Sequence, residues 1–256
     1  MTAPSPGGIY LALRNSPRLR DDVGRFIDNI RGGLPEDQNP LLVGIMEGFL
    51  DEAIDTLIVG GSEAMELHGA SRRLVDMTVA TIKATLHMLS KRVLRNMKNE
   101  DVRALAEHMD DLRLLRHDAA GEPRGWTVIP LPPALFAEML RLDGLIRVEP
   151  AAAHLGALQD MLFGLIDVVV EHVYVRTLAT LRLGPIARKL VEMGYATAHG
   201  GARKLIAGVL PRQGGTQVRQ AASSVLNHVI RVDGERVVKA RPSPASAGTL
   251  PEGVTP

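Results

Sequence analysis

Asp167, Glu171 and His172 sit inside the most apolar stretch of the chain, "MLFGLIDVVVEHVYVRTLATLRLGP" at 161–185. Asp160, Asp167 and Glu171 are 7 and 4 residues apart and therefore share one helical face, with Tyr174 close by. His172 is turned about 100° from Glu171, so the three need not form one constellation. The apolar residues cover nearly every other direction of this helix, and a helix of that kind is normally buried. A buried carboxylate must be paired or protonated, because an unpaired charge there costs several kcal/mol. Two outcomes follow. The acids pair with Arg or His from a neighbouring helix, which is the simpler expectation, or one of them keeps a raised pKa beside a cavity and serves a site.

Other residue types that carry chemistry lack the spacing they need. A carboxylate-bridged di-metal bundle requires Glu-x-x-His twice. Here Glu66 and His68, Glu107 and His108, and Glu171 and His172 are misspaced, and no two histidines lie within four residues. No metal site and no cofactor is expected. His117-Asp118, with His87 before it and Asp160 or Asp167 after it, has the order of a metal-dependent phosphohydrolase dyad. It stands at the mouth of a Gly/Pro loop, where a turn-forming Asp is the simpler account. The phosphate-binding Gly-x-x-x-x-Gly-Lys-Ser/Thr, the dinucleotide-binding Gly-x-Gly-x-x-Gly and the hydrolase Gly-x-Ser-x-Gly do not occur. Gly60-Gly61-Ser62 could present backbone N–H groups to an anion at a helix start, or could simply join two helices.

The acidic ladder Glu47, Asp51 and Asp55 reads as one helix face, and Arg72, Arg73, Lys83, Lys91, Arg92 and Arg95 make the next long helix basic. An antiparallel pair with complementary faces is expected from them. Charge is also divided along the chain. Residues 1–171 hold 18 Lys and Arg against 25 Asp and Glu, and residues 172–256 hold 12 against 4. Within the basic part, Arg188, Lys189, Arg203 and Lys204 are the candidates for binding an anion, which makes nucleic acid or anionic lipid a possible partner class. The stretch 184–220 that holds these four has one aromatic residue, Tyr195, and so no stacking platform.

The elements that would position these residues are mainly helical. Apolar residues make up 45% of the chain but aromatics only 3%, a balance that favours packed helices over a strand-rich core. The fold expected is a mainly α globular bundle of about seven or eight helices with one or two small β-hairpins. Residues 1–15 read as a flexible leader, 16–240 as one helical domain with a possible subdomain junction at 118–150, and 241–256 as a disordered Pro/Gly/Ser-rich tail.

Ser16-Pro17 should start a helix that Gly32-Gly33 stops, and Asn39-Pro40 a second one closed by Gly60-Gly61. A third should run from about Ser71 to Met97, and a shorter one from Asn99 to about Leu115. "WTVIPL" reads as extended, a helix resumes over about Pro133–Leu142 and ends at Asp143-Gly144, and "LIRVEP" is again extended. The central helix spans Ala151–Leu183 with a possible bend near Gly164, and the next carries Gly194, Gly200, Gly201 and Gly208, which allow close approach to a neighbour or a kink. Thr216 should cap the last helix, and "VIRVDGERVVKA" reads as a hairpin turning at Asp233-Gly234.

The chain has no cysteine, which excludes disulfides, thiolate metal sites and a cysteine nucleophile. No run without a charged residue exceeds 13 positions, Met1–Leu13 being one, and no secretory signal is recognisable. The expectation is a cytoplasmic protein that does not cross a membrane. Functionally, the first reading is a non-enzymatic helical interaction or assembly protein with a protein partner. The alternatives are an enzyme or small-molecule binder with a pocket beside Asp167 and Glu171, and docking on nucleic acid or anionic lipid.

Overall fold

Ser16 and Pro17 begin the first helix in the computed structural model, which describes residues 8–95, 97–118, 120–233 and 236–239. The Ser16 hydroxyl accepts from the Leu19 N–H, and helix α1 (Pro17–Arg31) buries all its apolar residues on one face. Helix α2 (Asn39–Ile54) does not stop at Gly60-Gly61. It continues through a π-helical turn, Asp55–Val59, into α3 (Gly60–Ala64). The chain reverses only at Glu66, whose φ of 50° is left-handed. The two glycines are therefore inside a helix, where the N–H groups needed to hold an anion are not free at a helix start.

Helix α4 (Gly69–Leu94) runs antiparallel to α2, and the complementary faces meet as expected. Lys91 reaches Glu47 at 3.0 Å, His87 Nε2 lies 3.0 Å from Asp51, and Lys83 bonds Asp55 at 2.8 Å. Partly exposed pairs of this kind contribute about 0–1 kcal/mol each, so they select the neighbour more than they hold it.

The stretch expected to be helical from Asn99 to Leu115 divides. Helix α5 (Arg103–Asp111) is followed by strand β2 (Arg113–His117), which pairs with β3 (Pro123–Pro130). The Asn99 amide is used elsewhere, donating to the carbonyls of Leu34 and Glu36. "WTVIPL" is thus extended over most of its length, but "LIRVEP" is not. It belongs largely to α6 (Pro133–Val148), where Leu142, Asp143 and Ile146 form a buried face and Asp143 pairs with Arg147 one turn on. A lone glycine at 144 does not outweigh that packing.

The leader expectation is corrected for residues 8–14. Gly8–Arg14 is strand β1, the middle of a five-stranded antiparallel sheet ordered β2-β3-β1-β4-β5, with β4 at Val229–Asp233 and β5 at Arg236–Lys239. Its neighbours cover both of its faces. Leu11 and Leu13 pack with Ile129, Phe136 and Val229, while Tyr10 and Ala12 pack with Leu114, Val128 and Ile230. A strand buried on both sides loses the polar alternation that would announce it. The two hairpins are joined through this strand into one sheet. Residues 1–7, the turn at Gly234 and the tail at 241–256 lie outside the described residues.

The long central helical run begins with a 3-10 turn, Ala151–His154, and continues as α7 (Leu155–Val170). A second π-helical turn follows, Glu171–Arg176, before α8 (Thr177–Ala179). Its hydrogen bonding departs from the α pattern at that π turn, seven residues beyond Gly164. Helix α9 (Pro185–Val209) lies against α4, and its glycines recur every seven residues at the contact. A Cβ at Gly201 would come within 2.8 Å of Ile82, and one at Gly194 within 3.2 Å of Leu89. Helix α10 (Gly215–Leu226) is capped at Gly214 and not at Thr216, the Gly214 N–H donating to the Gln217 side chain at 2.8 Å.

A candidate apolar ligand cavity

Two breaks in helical regularity face the same space. The π turns Asp55–Val59 and Glu171–Arg176 both contribute to the wall of a cavity of about 210 Å³, through Leu57 and Ile58 on one side and Val173 and Tyr174 on the other. Around them stand Leu50 and Ile54 of α2, Ile82 and Leu86 of α4, Leu162, Ile166 and Val169 of α7, Ala198 and Ala202 of α9, and Ala221 and Val225 of α10. Among the described residues that line it, only Ser62 and Tyr174 have polar side chains and none is charged.

A π turn shifts the backbone hydrogen bonds by one residue and frees a carbonyl, which side chains then take up. Ser62 donates to the Val59 carbonyl at 2.7 Å beside the first turn. Beside the second, the His172 ring Nδ1 lies 3.0 Å from the Val168 carbonyl, and the Thr177 hydroxyl bonds the carbonyl of His172 at 3.3 Å. His172 thus serves the backbone of its own helix.

Tyr174 is 4% exposed. Its hydroxyl lies over the bare α-carbon of Gly194, where a Cβ would approach it to 1.9 Å, so only glycine fits there. Burial pushes the phenol up to about 12, which keeps it a neutral donor at any ordinary pH.

The acids singled out in the sequence are elsewhere. Asp167 points outward with about half of its side chain exposed, and it bonds His199 at 2.7 Å and Arg203 at 3.2 Å on α9. A pair with a neighbouring helix is therefore present, but burial of the carboxylate is not. Arg203 also lies over the Phe163 ring at 4.2 Å, and His199 stacks on Tyr195. Glu171 pairs within its own turn, with Arg176 at 3.2 Å. The cavity is on the other side of this helix, reached by Leu162, Leu165, Ile166, Val169, Val170 and Val173.

This division explains an oddity of the run. Ala151–Ala179 is long and apolar enough to cross a membrane by length and composition, yet only 17% of its most apolar window is buried. Of its half-buried residues, Leu162, Ile166, Val169 and Val170 line the cavity.

Of the anion-binding candidates, Arg188 and Lys189 are at one end of α9 and Arg203 and Lys204 about 22 Å along it, at 1.5 Å per residue. They do not converge. Lys189 is paired with Glu192 and Arg203 with Asp167. Asp118 forms a turn, accepting from the N–H groups of Ala120 and Glu122 at 2.9 Å. Those bonds, together with Arg124, hold its carboxyl below the usual carboxylate range. Among the described residues no group of three or more His, Asp or Glu could hold a metal ion.

The cavity residues carry no polar signature, so motif reasoning passes over them. The one signal in the sequence is the excess of apolar residues around 161–175 beyond what a single buried face requires. No protein-family model, curated protein or solved structure matches the chain.

Proposed function

We propose that the protein binds a small apolar molecule in the cavity between α2, α4, α7, α9 and α10, as a carrier or sensor without catalysis. The observation that carries this reading is the cavity itself, walled by apolar side chains and flanked by two π-helical turns. Apolar walls left apart at that scale forgo the packing contacts that a filled core would make. Apolar cavities exclude water and accept apolar ligands, and π turns recur at functional sites. This is the small-molecule reading, moved from the Asp167 side of the helix to its opposite side.

The test is ligand-dependent stability. Ethylbenzene at a hundredfold excess over its Kd should raise Tm by about 5–10 °C. Ala198→Leu, which adds volume at the cavity wall, should fold with an equal or higher Tm and lose that response. No shift in the wild-type protein at the solubility limit of the probe overturns the reading.

A second reading, an interaction or assembly component with a protein partner, is supported by apolar side chains left in solvent. Met77 and Met88, eleven residues apart and so on one face of α4, are 72% and 55% exposed. Ile186 and Met193, seven apart on α9, are likewise exposed. Docking on nucleic acid or anionic lipid has less support, because Lys83, Lys91, Lys189 and Arg203 are each matched by a carboxylate of the same molecule.

A further inference from the structure

We infer that the outer seam between α4 and α9 is a groove that receives an acidic amphipathic helix of a partner protein. This rests on the second reading above, an interaction component, and names its surface and the kind of partner. It is independent of the cavity.

The two helices lie side by side, with Leu89, Ile82 and Leu74 opposite Gly194, Gly201 and Gly208 in turn. On one side of that contact is the cavity, lined by Leu86 of α4 and by Ala198 and Ala202 of α9. On the other side both helices turn apolar residues to solvent. Leu74, Met77, Thr81, Ala84 and Met88 are all exposed and spaced 3, 4, 3 and 4 residues apart, the seam of a helix built for a helical neighbour. The Thr81 hydroxyl donates to the Met77 carbonyl at 2.8 Å, so the stripe has no unbonded polar side chain. At about 100° per residue, Ile186 and Met193 fall on the matching side of α9, turned from Ala198 and Ala202. Between the two rows fall the short side chains of Thr85 and Thr197 and the bare Gly200, where a Cβ would meet open space.

Charge decides the occupant. Arg72, Lys91 and Lys189 each have a carboxylate of the same molecule beside them. Among the described residues Arg73, Arg92, Arg95 and Lys204 have none. Arg73 stands at one end of the stripe, Arg92 and Arg95 at the other, and Lys204 across it on α9. A second copy of this chain would bring these cations against their like. Nucleic acid would answer the charge and leave the apolar bed in water, and a flat bilayer would not fill the recess between the rows. A helix with an apolar face and Asp or Glu on its flanks satisfies both. From Leu74 to Met88 the stripe is about 21 Å long at 1.5 Å per residue, which suits about four turns of a partner. Methionine adapts to apolar surfaces of varied shape, so the choice among helices is left to charge.

The experiment titrates the full chain into two fluorescein-labelled helical peptides of about 18 residues, read by anisotropy. Both carry the same Leu-rich apolar face, and the flanks are Glu in one and Lys in the other. At about 20 mM salt the Glu peptide should bind at least about tenfold more tightly than the Lys peptide, and the difference should shrink at about 300 mM. Met88→Glu and Met193→Glu, at exposed positions where Tm should not change, should each weaken the Glu peptide by about tenfold or more. Equal binding of the two peptides overturns the acidic partner and leaves the interaction reading standing. Binding of neither overturns the groove and removes the support that the exposed methionines give to that reading. Vesicles of phosphatidylcholine and phosphatidylserine that bind the wild-type chain but not Met88→Glu would make the face a lipid surface. A dimer in sedimentation velocity that Met88→Glu dissolves would make it an interface between copies. Either result overturns the inference.

Discussion

In α1 every apolar side chain is buried, Leu19, Val23, Phe26, Ile27 and Ile30, although most of the helix is polar. In α7 polar residues are the exception, yet burial is confined to Leu158, Met161 and Leu165. The two helices are alike in length and unlike in what surrounds them. The apolar face of α1 meets α2 and α5 across an interface that leaves a space of only about 50 Å³, whereas that of α7 meets α9 and α6 on its flanks and the cavity of about 210 Å³ between them. Apolar character in a sequence fixes which side chains avoid water. How tightly they pack is decided by whether the neighbouring elements bring enough volume to the same place.

The contrast predicts unequal responses to truncation. Phe26→Ala removes a fully buried ring from the more closely packed interface and should cost about 3–5 kcal/mol in urea denaturation. Val169→Ala enlarges a wall that already faces open space, where few contacts remain to be lost, and should cost less than about 1 kcal/mol. Equal losses at the two positions would remove the distinction between the regions.

Much of the fold was legible because it is written in local signals. Ser16-Pro17 gave the start of α1, and the acidic and basic faces of α2 and α4 gave their antiparallel pairing. Gly194 and Gly201 marked the close contact of α9 with α4. What escaped was set by distant partners. Strand β1 has no alternation to read, because its side chains are buried on both faces among residues more than a hundred positions away. Gly60-Gly61 and Gly144 resemble stops, and only the packing of their helices carries the chain through them.

The candidate site was hidden for a related reason. Asp167, Glu171 and His172 drew attention as polar residues in an apolar context. A cavity lined by Leu, Ile, Val and Ala differs from an ordinary core only in the distance between its walls. Tyr174 was visible as a neighbour of the acids, but no spacing rule reports that its ring tip reaches the bare α-carbon of Gly194.

His108 lies where the two regions meet, on α5 between α1 and α8. Burial first of all pushes its imidazole below the ordinary value, with the His172 backbone and Asp111 pulling the other way and His172 and Arg176 adding to the fall. The unfolded chain therefore takes up the proton first as the pH drops. Stability from this group is complete above the unfolded value of about 6.5 and declines as the pH falls from there through the lowered folded value. Between about pH 8 and about pH 5.5 the Tm of the protein should fall, and His108→Gln should flatten that fall. Asp110 does not confuse the measurement. Burial pushes its carboxyl up, but Arg31 and Arg113 together outweigh burial and hold it below the usual range, so its contribution is lost only in stronger acid. A slope unchanged in the His108 variant would show that the seam between the regions is open to water.

The smallest effect is expected at the residue that first drew attention. Asp167 is half exposed and shares its charge between His199 and Arg203, so Asp167→Asn should lower stability by about 0–1 kcal/mol. Asparagine keeps one acceptor for His199 and leaves Arg203 its place over Phe163, which limits the loss further. Because solvent reaches the pair, the difference should shrink in about 1 M salt, where charges are screened within a few ångström. The cavity side of the same helix should not respond at all, and the ethylbenzene-induced rise in Tm should be the same in Asp167→Asn as in the wild-type chain. A loss several times larger and indifferent to salt would mean that the carboxylate is held away from water. The outer face of α7 would then be as closely packed as α1, and the contrast between the two helices would no longer hold.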